Sequence, residues 1–345
     1  MGLALAICVA LALGSHAGLS PGVILLMAVA GALASYLVLI ATIVAIGGER
    51  WVFYHHALAV AGAVVVLLVA LKRPLLPYLD VCSVGLLLLL ACGRGGCFLV
   101  GCCHGQPADW GVTYGPEHVA GGFPRDLAGV RLAPVQAIEG LWVIFVAAIG
   151  SRMIWRSAVA GAAFSWCLIA YGGGRSLLEF WRGDRDRRSR WGLSEAQWTS
   201  LVLMVVAIAF QVLGWLPRIA WQLELALGSG VATAVFWIQQ SRRPRVRRLL
   251  RPNHIREMAL ALDRVRAGNR MSVEETSLGV RISGAAFAGP EAPRCVYTLS
   301  SGVSEMDADS ARVLGDLIRR LRHREDQIKV VGRQRGIFHL LVHSH

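Results

Sequence analysis

Long apolar runs constrain this chain more than any other feature, and they fall at about 2–14, 20–46, 52–71, 75–93, 134–151, 158–181 and 195–216. A helix needs ~20 predominantly apolar residues to cross a hydrocarbon core, and these runs show neither the period of a half-buried strand nor that of a surface helix. Only 17% of the residues are charged and 55% are hydrophobic, too apolar a balance for a water-facing surface, so lipid is the main solvent. The run from Met1 to Gly14 lacks a basic n-region and a small-residue cleavage box, and it reads as a short first span rather than a removed signal peptide. An eighth run, about 219–238, carries Glu224 and a Gly228-Ser229-Gly230 break, which suits an interfacial or re-entrant segment. The expected fold is an all-α polytopic membrane bundle of seven or eight transmembrane helices.

After about Arg242 the composition turns charged and mixed, over a length sufficient for one small domain. A helix around Ile255–Ala267, a strand around Cys295–Leu299, an amphipathic helix Asp307–Arg322 and a strand Ile328–Val331 predict α/β alternation there. The expected organisation is a membrane domain over 1–240 and a small soluble α/β domain over 241–345.

The formal charge of +13 raises nucleic acid as a partner, but the basic residues gather at the ends of apolar runs and in the last third of the chain. Membrane topology accounts for them, so no nucleic-acid partner is expected. Lys72 and Arg73, and two spans later Arg152 and Arg156, mark cytoplasmic loops under the positive-inside rule, which turns the segment 94–133 outward. The cluster Arg242, Arg243, Arg245, Arg247, Arg248 and Arg251 suits anionic headgroups and puts the tail in the cytoplasm, provided the eighth run does not cross. Arg182, Arg185, Arg187, Arg188 and Arg190 then face outward against the charge rule. Such a cluster holds lipid phosphates, or else forms a plain loop balanced by Asp184 and Asp186.

Three polar sets interrupt the apolar runs. Arg94 stands inside Gly93-Arg94-Gly95-Gly96-Cys97-Phe98-Leu99-Val100-Gly101-Cys102-Cys103-His104-Gly105, where it either snorkels to the headgroups or serves a buried site whose glycines allow turns and close approach of a ligand. Arg175, Glu179 and Arg182 are spaced to share a helix face, as a structural ion pair or as part of a site. Pro134, Gln136 and Glu139 open another span, and a carboxylate there needs a cationic partner such as Arg94 or Arg175. His55 and His56 begin a span whose start also faces outward, so that an imidazole could join one outward polar cavity as proton acceptor, or contact headgroups. Cys82, Cys92, Cys97, Cys102 and Cys103 crowd one stretch. The adjacent Cys102 and Cys103 fit one tetrahedral ion poorly, so no metal is expected, while redox chemistry and packing at a glycine-rich bend stay open.

In order along about 20–216 these motifs resemble the prolipoprotein diacylglyceryl transferase family. Gly93-Arg94-Gly95-Gly96-Cys97-Phe98 with Gly101 and Gly105 resembles its signature, with Cys97 where an asparagine stands. Ala133-Pro134-Val135-Gln136-Ala137-Ile138-Glu139 is similar to its His-Pro-Ser-Gln-Leu-Tyr-Glu box. Tyr171-Gly172-Gly173-Gly174-Arg175 with Glu179-Phe180-Trp181-Arg182 follows, then Ser194, Gln197 and Ser200, and His55 falls at a family histidine. Cys102 stands near a frequent family glutamate, and Ala133 and Ile138 replace the box's histidine and tyrosine.

The resemblance implies transfer of a diacylglyceryl group from phosphatidylglycerol, or another anionic phospholipid, to the cysteine thiol in the signal region of a prolipoprotein. Glycerol phosphate is released and no cofactor is used. His55, Arg94, Glu139 and Arg175 are the implied catalytic residues, with His55 or Glu139 as base. Gly93, Cys97, Gly101, Gly105, Gln136, Glu179 and Arg182 are the implied substrate-binding ones. The location implied is the bacterial inner membrane. The alternative is a lipid-binding or sensory relative that has lost the chemistry and signals to a cytoplasmic partner through its tail. Residues 279–342 fit that use, because they resemble the sulfate-transporter and anti-sigma-factor-antagonist domain, with Asp309 in place of its phosphorylated serine.

Overall fold

The computed structural model describes residues 1–47, 53–184, 189–242, 244–267, 272–286, 293–303 and 305–343. Helices stand where the apolar runs predict them: α1 (Gly2–His16), α2 (Pro21–Ile46), α3 (Phe53–Ala70) and α4 (Leu75–Val100). A segment with β1 (Pro107–Thr113), α5 (Pro116–Ala120) and β2 (Arg131–Leu132) precedes α6 (Val135–Trp155) and α7 (Ala162–Leu178). The two-residue strands β3 (Ser189–Arg190) and β4 (Leu193–Ser194) lead into α8 (Glu195–Val212) and α9 (Ala220–Ser241). The segments Pro21–Ala45, Leu75–Val100, Val135–Trp155 and Glu195–Val212 are long and apolar enough to cross a membrane by composition alone. Leu33, Leu37, Val66, Leu141, Phe145, Val202 and Val205 turn outward from their helices, as lipid-facing side chains must. The chain is a multi-pass membrane protein.

The structure forms two compact units: Met1–Gly96, Ala137–Phe180 and Ser189–Val235 in the first, and Cys97–Gln136, Trp181–Arg188 and Phe236–His345 in the second. In the first, buried Asp80 on α4 fixes the start of α7, because its carboxylate accepts from the Gly161 and Phe164 amides at 2.7 Å each. Those amides belong to the four N–H groups that a helix start leaves unpaired, and hydrocarbon supplies no other acceptor. Three consecutive glycines then bring α7 against its neighbours: a Cβ at Gly172 would meet Met204, at Gly173 Ser229, and at Gly174 the Trp142 indole. Ser194 and Gln197 close a reciprocal capping box at the start of α8, and Gln197 also donates to the Ser176 carbonyl at 3.1 Å. The Gly228-Ser229-Gly230 step does not break α9, which runs unbroken through it while Ser229 donates to the Leu225 carbonyl at 2.8 Å.

The second unit continues through α10 (Pro244–Leu249), α11 (Pro252–Ala267), β5 (Val273–Glu275), β6 (Val280–Ala286), β7 (Cys295–Ser301), α12 (Ala308–Arg322), β8 (Gln327–Gln334) and β9 (Ile337–His343). The sheet order is β5-β6-β7-β9-β8 with every pairing antiparallel. The predicted helices and strands are present, but the alternation does not produce a parallel crossover. β9 folds back from β8 at Gly336 (φ +77°) and inserts between β8 and β7. Asp307 caps α12, accepting from the Ser310 amide at 2.6 Å. Tyr114, Phe123, Leu127 and Leu132 share one core with Ile255, Met258, Leu262, Leu314 and Leu340, so segment 97–136 and the tail fold around common apolar surface.

Two outcomes test these readings. Asp80→Ala strands two buried amides, a loss of about 1–3 kcal/mol, and thermal unfolding in detergent is expected to begin at a clearly lower temperature. Buried His254 and His323 are held below the ordinary histidine range, first by desolvation. The unfolded chain therefore binds more protons than the native one as pH falls through about 6.5. The second unit is expected to be at full stability above that pH and to lose stability below it, read by hydrogen exchange of the sheet amides. His323→Gln should flatten that dependence.

Candidate active site

Arg94 lies in the last two turns of α4, beside Gly140 on α6, where an added Cβ would stand 3.3 Å from the arginine's own Cβ. The missing side chain lets the two helices approach until Arg94 Nη2 reaches Glu139 Oε1 at 3.0 Å. The same carboxylate oxygen lies 3.6 Å from Arg175 Nε on α7, and Arg175 Nη1 lies 2.7 Å from Glu179 Oε2 one turn further on. Arg94, Glu139, Arg175 and Glu179 thus form one alternating ionic chain. Their side chains are 10%, 0%, 5% and 4% exposed, which excludes a plain snorkelling role for Arg94. Unpaired, each would cost several kcal/mol in the bundle, and in sequence the pairing offsets that cost. Arg94 Nε is buried without a hydrogen-bond partner among the described residues, so one donor of the chain remains for a ligand acceptor.

Gly93, Gly95 and Gly96 do not turn the chain, since α4 continues past them to Val100; a Cβ on any of them would meet open space. They leave a bare strip on the helix beside Arg94. The turn comes later, at Gly101 (φ +84°).

In the second unit, Gly101 lies beneath Tyr114 and Phe123, and Gly105 packs against the Ala133 carbonyl with no room for a side chain. Buried Gln136 donates through Nε2 to the Tyr114 hydroxyl at 2.9 Å, which in turn donates to the Phe98 carbonyl at 2.9 Å. Arg182 pairs its backbone with Gly105 and its guanidinium with both oxygens of Asp184 at 3.0 and 3.1 Å. Gly101, Gly105, Gln136 and Arg182 therefore belong together. The outward arginines Arg185, Arg187 and Arg188, with Asp186, lie outside the described residues, as does Arg243 of the basic cluster.

Exposed His55 pairs with Glu195 of α8, Nε2 to Oε1 at 3.4 Å, and has no ion pair with the Arg94 network among the described residues. The neighbouring His56 is buried against Ser35 at 2.9 Å. Cys97 is half-buried, and its Sγ lies within 4.8 Å of those of Cys102 and Cys103. Gly101 and a left-handed Cys103 (φ +59°) fold the chain back, which converges the three thiols more closely than their spacing suggests.

Sequence reasoning passed over Glu195 and Tyr114 as site residues, and it named His104 only within the glycine-arginine stretch. His104 is buried, and desolvation first of all holds its imidazole below the ordinary histidine range. Its Nδ1 donates to the Gly105 carbonyl at 2.8 Å, which puts the proton there and leaves Nε2 as acceptor. No spacing rule exposes such a tautomer.

Comparison with known proteins identifies the family. Residues 21–213 match the family "Prolipoprotein diacylglyceryl transferase", more than half of the chain. The chain is similar to the phosphatidylglycerol–prolipoprotein diacylglyceryl transferase of Clostridium tetani, 31% identical over 163 residues, covering 45% of this chain and 61% of that protein. A second enzyme so named, from Clostridium perfringens, is 31% identical over 163 residues, with 45% and 60% covered. That of Dehalococcoides mccartyi is 32% identical over 130 residues, with 38% and 48% covered. The chain thus spans less than two thirds of the length of these relatives.

Glu139→Gln removes the shared counter-charge of Arg94 and Arg175. Breaking a buried pair costs about 3–5 kcal/mol, and the variant is expected to unfold well below the parent in a detergent thermal scan. An unchanged midpoint would show that the ionic chain does not hold the three helices.

Proposed function

The chain belongs to the prolipoprotein diacylglyceryl transferase family, and we propose that it moves a diacylglyceryl group from phosphatidylglycerol to the cysteine thiol of a prolipoprotein. The observation that carries this reading is the buried chain Arg94–Glu139–Arg175–Glu179. A carbon–sulfur bond forms as the carbon–oxygen bond to phosphate breaks, the glycerol phosphate leaves with the electron pair, and the thiol proton passes to a base. Negative charge grows on the leaving phosphate, and preorganised guanidinium donors in a low-dielectric bundle are suited to hold it. Two carboxylates keep both arginines in place before the lipid arrives, so little reorganisation accompanies the reaction.

Glu139 lies between two guanidinium groups and serves to position them, which leaves the proton to another group. His55 is accessible and has Glu195 to orient its ring, the arrangement of a general base. Gly93, Gly95 and Gly96 leave the α4 surface bare beside Arg94, where a glycerol backbone could approach the helix. Gly101, Gly105, Gln136 and Arg182 hold the segment that follows, and the substitutions at Cys97 and Ala133 lie within it. Ala133 acts there through its carbonyl, which accepts from the Gly105 amide at 2.8 Å, a contact that any side chain permits. The reaction is assigned to the outer face of the bacterial inner membrane.

The direct test incubates the purified protein with phosphatidylglycerol vesicles and a peptide bearing a lipoprotein-type cysteine, reading thioether product and glycerol phosphate by mass spectrometry. Absence of product from the parent protein, with the lipid still bound, would favour the lipid-sensing alternative. Arg94→Ala should lower turnover by about 10²–10³, and Arg94→Lys should not restore it, because an ammonium lacks the planar fork. His55→Gln is expected to lose about 10²–10⁴ in rate while leaving the thermal midpoint in place.

A further inference from the structure

We infer that α9 is an eighth transmembrane helix, and that the C-terminal domain lies on the same side of the membrane as segment 97–136, the outer side, with that segment as its docking partner. The inference concerns topology and does not rest on catalysis.

The first observation is the direction of α9. Gln222 at its start donates to the Ala162 carbonyl at the start of α7 at 3.1 Å, and Thr233 meets Ser176 near the end of α7 at 2.9 Å. Trp181 and Phe236, beyond these, stack edge-on at 5.2 Å. All three pairs advance together, so α9 runs parallel to α7. Between them α8 runs the other way, with Gln197 at the Ser176 carbonyl and Gln211 at Ser165. Whichever side receives the end of α7 therefore receives the end of α9.

The second observation is what α9 presents outward. Leu223, Leu227, Val231, Val235 and Ile238 are exposed at spacings of four, four, four and three, one continuous apolar stripe along the helix. Its 22 residues extend about 33 Å, enough for a hydrocarbon core. Gln222, Ser229 and Thr233 lower the apolar content of the sequence, but Gln222 and Thr233 bond to α7, and Ser229 donates to its own helix at Leu225 and meets Met204 Sδ of α8 at 3.5 Å, so these polar groups are satisfied inside the bundle rather than excluding the helix from lipid.

The third observation is independent of α9. The tail shares its fold with the segment joining α4 to α6: Asp126, buried there, accepts two bonds from the Arg256 guanidinium at 2.9 and 3.1 Å, and Arg322 donates to the Asp126 carbonyl at 3.0 Å. Arg319 and Arg320 both reach Asp109 of β1, at 2.7 and 3.4 Å. Beneath these pairs Leu127, Val130 and Leu132 enter the tail's core. One compact unit cannot straddle a bilayer. Lys72, Arg73, Arg152 and Arg156 mark the opposite, cytoplasmic ends of the spans flanking this segment. The basic cluster after Ser241 stands within ~20 residues of the end of α9, where the charge rule counts it against an outward tail, but a long domain translocates largely regardless of charge, and the contacts with segment 97–136 decide the side. Within that cluster Arg245 is bound to Asp307 at 2.9 Å. A cytoplasmic tail with a cytoplasmic partner, as the sequence alone suggested, does not fit these contacts.

The test fuses the full chain after His345 to alkaline phosphatase, active only outside the cytoplasm, and separately to green fluorescent protein, fluorescent only inside it. The expected result is an active phosphatase fusion and a dark fluorescent one; the reverse would overturn the inference. Protease added to intact spheroplasts tests the docking partner. Asp126→Arg should accelerate cleavage of the tail, and adding Arg256→Asp should slow it again. A rate unchanged by Asp126→Arg, or a tail cut only after lysis, would also count against the proposal. Diacylglyceryl transfer is not read in either assay, so a failed enzyme assay and a failed topology remain distinct.

Discussion

Charge inside a bilayer must be closed by charge, and the arrangement of this bundle follows from that requirement. Arg94, Glu139, Arg175 and Glu179 come from α4, α6 and α7 and satisfy one another in alternation, so three helices are held at the depth and rotation their ion pairs demand. Gly140 and Gly174 provide the close approach the pairs require. The same four side chains leave Arg94 Nε buried without a partner among the described residues, so the assembly that holds the helices together also keeps one donor in reserve.

The spans were legible because lipid imposes a length and a polarity that no soluble helix obeys, and the members of the ionic chain were legible because each ionisable residue stood out against that background. Spacing along a single helix could pair Arg175 with Glu179, and the sequence offered Arg94 or Arg175 as the partner of Glu139 without showing that one carboxylate oxygen meets both. That contact depends on Gly140 and the approach of α6. Asp80 escaped notice for the opposite reason: its partners are backbone amides 81 and 84 residues away, which carry no side-chain signature. Glu195 likewise looked like an ordinary first-turn acid of α8 until the fold brought it to His55.

The tail was legible as elements but not as sheet order. The strands Cys295–Ser301 and Gln327–Gln334 and the helix Ala308–Arg322 follow from period and capping. Sheet order does not, because β9 enters between β7 and β8 through a hairpin that local pattern cannot rank against a crossover. A count of arginines likewise cannot show which of them a domain has already paired, as Arg245 is with Asp307.

The parallel course of α7 and α9 makes α9 a parity adaptor. Without α9, anything attached after α8 would emerge at the opposite end of the bundle from the end of α7. One added helix reverses that course, so a domain can be joined after it at the end of the bundle where α7 finishes, with the order of the helices before it unchanged.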